Sequence, residues 1–219
     1  EALRPQVIST PPSNPAERAG FYGYGMNVSV APSGRVVLSH SAAFLLGAAT
    51  CLTMIPSLEG GIVVLSNGAP SGAVETLCAE FSDLAQFGTI TRDWYAGYGP
   101  RFAEMMKPVG SLLGKTPPAK PKAQAAAELY KGTYVNKYFG DAVVVRKEGK
   151  LLLLLGNEAG KVFPLRHWDG DTFVIDLQGE VAAQGSVSTV TFNRQRGKAK
   201  SLQIEFFADD LAKGVFKRE

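Results

Sequence analysis

GIVVLSNG, Gly61–Gly68, is a continuous apolar run closed by an Asn-Gly turn signal, and its reading decides the fold of everything before residue 90. A strand with one wet face alternates apolar and polar residues, whereas an unbroken run suits a strand covered on both faces. Upstream of it, AATCLTMI (48–55) alternates around Cys51, with SLEGG as the connecting turn, and MNVSV and RVVLS flank a Pro-Ser-Gly turn as the arms of a hairpin. Downstream, AVETLCAEFSDLAQFG places Val74, Leu77, Cys78, Phe81, Leu84 and Ala85 at helical spacing and stops at Gly88 as a C-terminal cap does. This helix is expected to lie on the sheet. A few strands and one helix cover only one sheet face well, so the second cover for GIVVLSNG is expected to come from outside the chain.

Residues 91–127 include PVGSLLGKTPPAKPKAQAAAE, whose Pro, Lys and Ala content and lack of strand pattern mark a linker. From Glu128 to residue 219 the pattern becomes short strands separated by turns: LYKGTYVN, AVVVRK, KLLLLLG, KVFPLRHW, TFVIDL, VSTVTFN, SLQIEFF and GVFKR. Lys-Glu-Gly149, Asn-Glu-Ala-Gly160, Asp169-Gly170 and Arg196-Gly197 supply turns. Phe173, Ile175 and Leu177 alternate with Thr172, Val174 and Asp176, which leaves one face apolar. Eight such strands can close into an up-and-down barrel and so remove exposed edges. Its bore is narrow enough for side chains to fill, or it holds a small apolar ligand. The fold class expected is α+β: a partial antiparallel sheet with a helix (1–90), a linker (91–127) and an all-β eight-stranded barrel (128–219).

Composition narrows the function classes. The net charge of +3 arises from the second half, where Lys and Arg are spread through turns and linker and not gathered on one helix, so nucleic acid is not an expected partner. The longest apolar runs are far shorter than a membrane-spanning helix. Cys51 and Cys78 read as buried small hydrophobes, and neither His40 nor His167 has ligands at metal spacing; no metal and no cofactor are expected. His167, beside Trp168 and a turn, reads as a surface or barrel-rim residue. Arg92, Asp93 and Trp94 read as docking contacts and not as chemistry.

YGYGMNV, SHSAAFLLGAAT and GIVVLSNGAP with its following helix resemble the C-terminal third of serine hydrolases related to class C β-lactamases, the penicillin-binding-protein-like esterases and peptidases (peptidase S12). RDWYAGYGPRF and the barrel that starts at YKGTYVN resemble the lipocalin-like accessory domain some of them carry. In that family a Ser-x-x-Lys, a Tyr-x-Asn or Ser-x-Asn, and a Lys-Thr-Gly or His-x-Gly on an edge strand meet around the substrate. His40-Ser41-Ala42 stands where the third motif would be. The resemblance implies a proton or hydrogen bond from His40, a hydroxyl of Ser41 facing the site, an oxyanion-hole N–H at Ala43, and substrate contact at Ala42 and Phe44. It also implies a periplasmic or secreted protein.

Two departures qualify that reading. Ala42 replaces the usual Gly, which narrows the approach to the strand. More seriously, the sequence contains no Ser-x-x-Lys. Ser111 and Lys115 are four apart in a Pro/Gly-rich stretch, Tyr134-Val135-Asn136 lies inside the barrel, and Lys115-Thr116-Pro117 ends in a residue without an N–H. The expectation is therefore a C-terminal fragment of a serine hydrolase whose nucleophile lies upstream. Its partners would be the N-terminal remainder of that domain and a small ester, amide or peptide, and its barrel could wall the cleft with Tyr130, Tyr134, Tyr138 and Phe139, or self-associate into a homo-oligomer. The alternative is a non-catalytic binding module in which the barrel holds a small apolar ligand or a partner protein.

Overall fold

The computed structural model describes residues 1–156, 160–195, 197–208 and 213–219. The chain divides into two units, Glu1–Met106 and Lys107–Glu219, and is mostly β with few helices.

The first unit is an antiparallel sheet of six strands in sequence order: β1 (Val7–Thr10), β2 (Gly20–Tyr22), β3 (Asn27–Val30), β4 (Val36–Phe44), β5 (Ala48–Ile55) and β6 (Gly60–Ser66). Helix α1 (Ala73–Phe87) follows and ends where Gly88, at φ 72°, donates its N–H to the Leu84 carbonyl. It packs on one sheet face, where Val74 and Cys78 of the helix meet Ala49 and Cys51 of β5, with Ile62 and Val64 of β6 beside them. Among the described residues of this unit, none covers the other face of β6. β6 is an edge strand, and Val63 and Leu65, on the face away from α1, are 62% and 73% exposed.

Residues 91–106, expected to open a linker, instead form helix α2 (Trp94–Met105) and belong to the first unit. Asp93 starts it by accepting from the Ala96 N–H at 2.9 Å. Asp83 of α1 ties it down: one carboxylate oxygen accepts from Thr91 N at 2.8 Å, Thr91 Oγ1 at 2.6 Å and the Trp94 indole N–H at 2.8 Å. Burial pushes the Asp83 carboxyl up, but these three donors and nearby Arg92 outweigh it and hold it below the usual carboxylate range.

The second unit holds β7 (Gly132–Asn136), β8 (Gly140–Lys147), β9 (Lys150–Leu155), β10 (Lys161–Pro164), β11 (Arg166–Asp169), β12 (Thr172–Asp176), β13 (Val187–Arg194), β14 (Ala199–Ile204) and β15 (Val215–Arg218). They form one antiparallel, nearly barrel-shaped sheet in the order β10-β9-β8-β7-β15-β14-β13-β12-β11. Among the described residues the eight strands expected are nine, because KVFPLRHW is broken. Pro164 has no N–H to continue a ladder, Leu165 turns inward and donates to the Leu151 carbonyl at 2.9 Å, and the two halves pair on opposite sides, β10 with β9 and β11 with β12. The β8–β9 turn matches its sequence signal: Glu148 at φ 50° and Gly149 at φ 78° make a two-residue hairpin loop. The turns expected over 157–159 and at Arg196 lie outside the described residues.

Tyr130 and Tyr134 are fully buried in this unit's core, packed edge-on or tilted against Phe173 and Phe192, so they do not wall a cleft. Tyr138 is exposed and Phe139 partly buried. His167 is half-buried, with Nε2 3.2 Å from the Gly170 carbonyl.

Candidate functional site

The site residues singled out in the sequence lie together on β4. Its first half is paired on both sides: β3 pairs with Val36–Ser39, and β5 pairs from Leu38 to Phe44. Beyond Ser39, β3 has ended, and among the described residues no other strand of the sheet takes its place beside His40–Phe44. A strand edge left open in this way presents backbone N–H and C=O groups to whatever lies along it.

Register separates the side chains of this edge. Ser39, Ser41 and Ala43 stand opposite Thr53, Cys51 and Ala49, on the α1 side. His40, Ala42 and Phe44 stand opposite Leu52, Thr50 and Ala48, on the other face. His40 is half-buried, and its Nδ1 lies 3.5 Å from the hydroxyl of Tyr22, a long contact. Phe44 is 45% exposed.

On the α1 side, the Ser41 hydroxyl donates to Glu75 Oε1 at 2.5 Å. It is therefore held by the helix and does not project from the open edge. Glu75 is 7% exposed, and its Oε2 has no hydrogen-bond partner among the described residues. A cavity of about 850 Å³ opens here, bordered by Asn27, Ser39, Glu75, Asp83, Trp94 and Tyr98. Burial pushes the Tyr98 phenol up, reinforced by Cys51 and Glu75. Neither Glu75 nor Tyr22 was legible as a site residue. A Glu in the first turn of a helix reads as a solvated charge that suits the helix dipole, and no spacing links Tyr22 to His40.

Cys51 and Cys78 are free and buried. Burial pushes the Cys51 thiol up, and the adjacent Cys78 thiol and Glu75 add to it, so Cys51 stays protonated. Both thiols in the native chain are expected to react with iodoacetamide at pH 8 at least ~100-fold more slowly than in guanidinium-unfolded chain, because reaction requires local opening. Mass spectrometry of quenched time points reads this, and native modification of either cysteine at the unfolded rate contradicts it. Among the described residues no group of three or more His, Cys, Asp or Glu is placed to hold a metal ion, and no helix is long and apolar enough to cross a membrane.

Comparison with known proteins adds the family. A domain of unknown function (DUF3471) matches residues 116–215. No match to a curated protein was found. Among solved structures, the C-terminal domain of penicillin binding protein Rv0907 is 39% identical over 96% of its own chain and 48% of this one, with a TM-score of 0.42. SurE, in its structure with D-Leu, is 18% identical over 91% of this chain (TM-score 0.33). The octameric penicillin-binding protein homologue from Pyrococcus abyssi is 17% identical over 93% of this chain (TM-score 0.28). This chain spans 39% of the length of each of those two. On the identity and coverage of the first comparison, about half of this chain (48%) belongs with the penicillin-binding-protein C-terminal domains.

Proposed function

We propose that this chain is the C-terminal part of a serine hydrolase, related to class C β-lactamases and to penicillin-binding-protein-like esterases and peptidases (peptidase S12), that works through an acyl-enzyme. The nucleophile, in a Ser-x-x-Lys, lies upstream of residue 1, and the barrel is the lipocalin-like accessory domain of such an enzyme. The open edge of β4 at His40–Phe44 is the observation that carries this reading. An extended acyl segment lying along it hydrogen-bonds to strand backbone, and the Ala43 N–H serves as one oxyanion donor. His40, with Tyr22 beside it, holds a proton or a hydrogen bond at the leaving group. Ala42 and Phe44, on the same face as His40, border the acyl group. Ser41 acts through its backbone, since its hydroxyl is engaged by Glu75, and that bond fixes the strand against α1. Substrates are small esters, amides or peptides, and the family resemblance favours a periplasmic or secreted enzyme.

The purified chain of residues 1–219 is expected to show no turnover of a nitrophenyl ester. Without an activated nucleophile only weak binding and oxyanion effects remain. The complete protein is expected to form a covalent adduct with a fluorophosphonate at a Ser-x-x-Lys serine, seen as a mass shift. Serine-titratable turnover by the 1–219 chain, or no adduct on the complete protein, overturns the proposal.

A further inference from the structure

The second unit contains a cavity of about 350 Å³ at one end of the nearly closed sheet, walled by Leu155, Phe163, Ile175, Leu177, Ile204 and Phe216. Five of these six are buried, Ile175 and Ile204 completely; Leu155 is partly buried against the same core. The walls are therefore preformed, as small-molecule sites usually are. Phe139 stacks on Phe207 and on Phe216, and Phe207 is tilted against Phe216, with ring centroids 4.5 to 6.3 Å apart, which stiffens one side of the wall.

Among the described residues, the register of β9 and β10 brings one charged residue, Lys161, to this apolar surround. Phe163 stands opposite Leu153, which is fully buried, and Lys161 stands opposite Leu155 on the same face. Lys161 is thus directed to the inner side of the sheet at the cavity rim, although its position on β10 is exposed. Its ammonium makes one hydrogen bond among the described residues, to the neutral Gln178 carbonyl at 3.2 Å. An inward lysine on an edge strand can serve only to discourage edge-to-edge pairing. Above a preformed apolar cavity it also supplies a counter-charge for an anion whose apolar part enters the cavity.

We infer that this cavity binds an amphiphile with a single medium-length acyl chain and a carboxylate head, the chain between the sheet walls and the head at Lys161. Size sets the chain length. A cavity of about 150 Å³ accommodates benzene, so 350 Å³ takes on the order of 14 non-hydrogen atoms by the same proportion, which is the size of laurate.

The test is calorimetric titration of the 1–219 chain with sodium laurate and with 1-dodecanol, both below their aggregation limits, at two temperatures. Laurate is expected to bind with a negative heat-capacity change, the mark of apolar burial. Lys161→Glu keeps an inward charge on the edge strand but reverses its sign. It is expected to weaken laurate about 5- to 30-fold, as a partly exposed ion pair turned into a repulsion, and to change dodecanol affinity less than ~2-fold. Leu155→Trp, which fills the cavity from its rim, is expected to weaken both ligands. No laurate binding at ~1 mM, a weakness at which a specific site has little meaning, overturns the inference. So does equal loss of both ligands in Lys161→Glu, or unchanged binding in a folded Leu155→Trp variant.

Discussion

Arg218→Ala is expected to destabilise the second unit by about 2 to 4 kcal/mol, since several buried or half-buried neutral acceptors lose their donor together. The guanidinium of Arg218, at the end of β15, gathers the segment that leads into the sheet. It donates to the carbonyls of Ala199, Lys131 (2.6 Å) and Leu129 (3.2 Å) and to the Tyr134 hydroxyl (2.7 Å). It also lies over the Tyr134 ring, 4.8 Å from its centroid. Tyr134 and Ala199 are fully buried, so water does not readily replace these bonds, and each orphaned acceptor costs about 1 to 3 kcal/mol. Burial pushes the Tyr134 phenol up to about 12, so it stays neutral and donates to the Tyr130 carbonyl at 2.5 Å.

Arg218→Lys keeps the charge but lacks the planar fork, and is expected to recover only about half of the loss. Gly132→Ala probes the same network from the other side. Gly132 sits at φ 144°, a conformation L side chains rarely adopt, and an added Cβ would lie 2.2 Å from Arg218 Nη1. That nitrogen cannot swing aside without breaking its bond to Lys131. Urea unfolding followed by Trp168, in a Trp94→Phe background, isolates this unit. A loss below ~1 kcal/mol for Arg218→Ala, no more than an exposed pair is worth, overturns the account.

Strands β9, β12, β13 and β14 were readable because each carries buried Leu, Val, Ile or Phe at period two. Arg218 was not, since a basic residue beside a terminus reads as solvated. The same contrast holds in the first unit. AATCLTMI became β5 residue for residue, and Gly88 ended α1 as its conformational freedom predicts. β1 was hidden because its four residues are all exposed and flanked by prolines, so no alternation could mark it. α2 was hidden because Gly97, Gly99 and Pro100 interrupt the helical pattern; the overlooked signal was Asp93 at N-cap, whose side chain outweighs propensity locally. KVFPLRHW was read as one strand although its central proline forbids a continuous ladder on both sides. For the site, His40 was conspicuous as an imidazole in an apolar run. The open edge beside it depends on where β3 stops, and the orphaned oxygen of Glu75 depends on a helix packing that pattern alone does not fix.

Under the proposed serine-hydrolase function, His40→Ala in the complete protein is expected to lower kcat/KM for a nitrophenyl ester about 10²- to 10³-fold, the usual worth of one positioned proton donor or oxyanion-type donor. The fold should tolerate the change. The ring's one polar contact among the described residues is the 3.5 Å approach to Tyr22, at the outer limit of a hydrogen bond, and β4 is anchored independently by seven residue pairs with β5, from Leu38↔Met54 to Phe44↔Ala48. Stability should therefore fall by less than ~1 kcal/mol, and a large activity loss then reports on chemistry and not on folding. The split between constants identifies the role. A fall in kcat with KM unchanged means that His40 acts on the transition state, whereas a rise in KM alone means that it only binds the acyl group. Tyr22→Phe sharpens the distinction, because a hydroxyl that merely positions the ring should cost about 3- to 10-fold in kcat with KM unchanged, while leaving the imidazole in place. A His40→Ala enzyme within ~3-fold of the parent, less than the ~1 kcal/mol of a typical hydrogen bond, would remove His40 from the reaction and leave the open edge of β4 as a binding surface only.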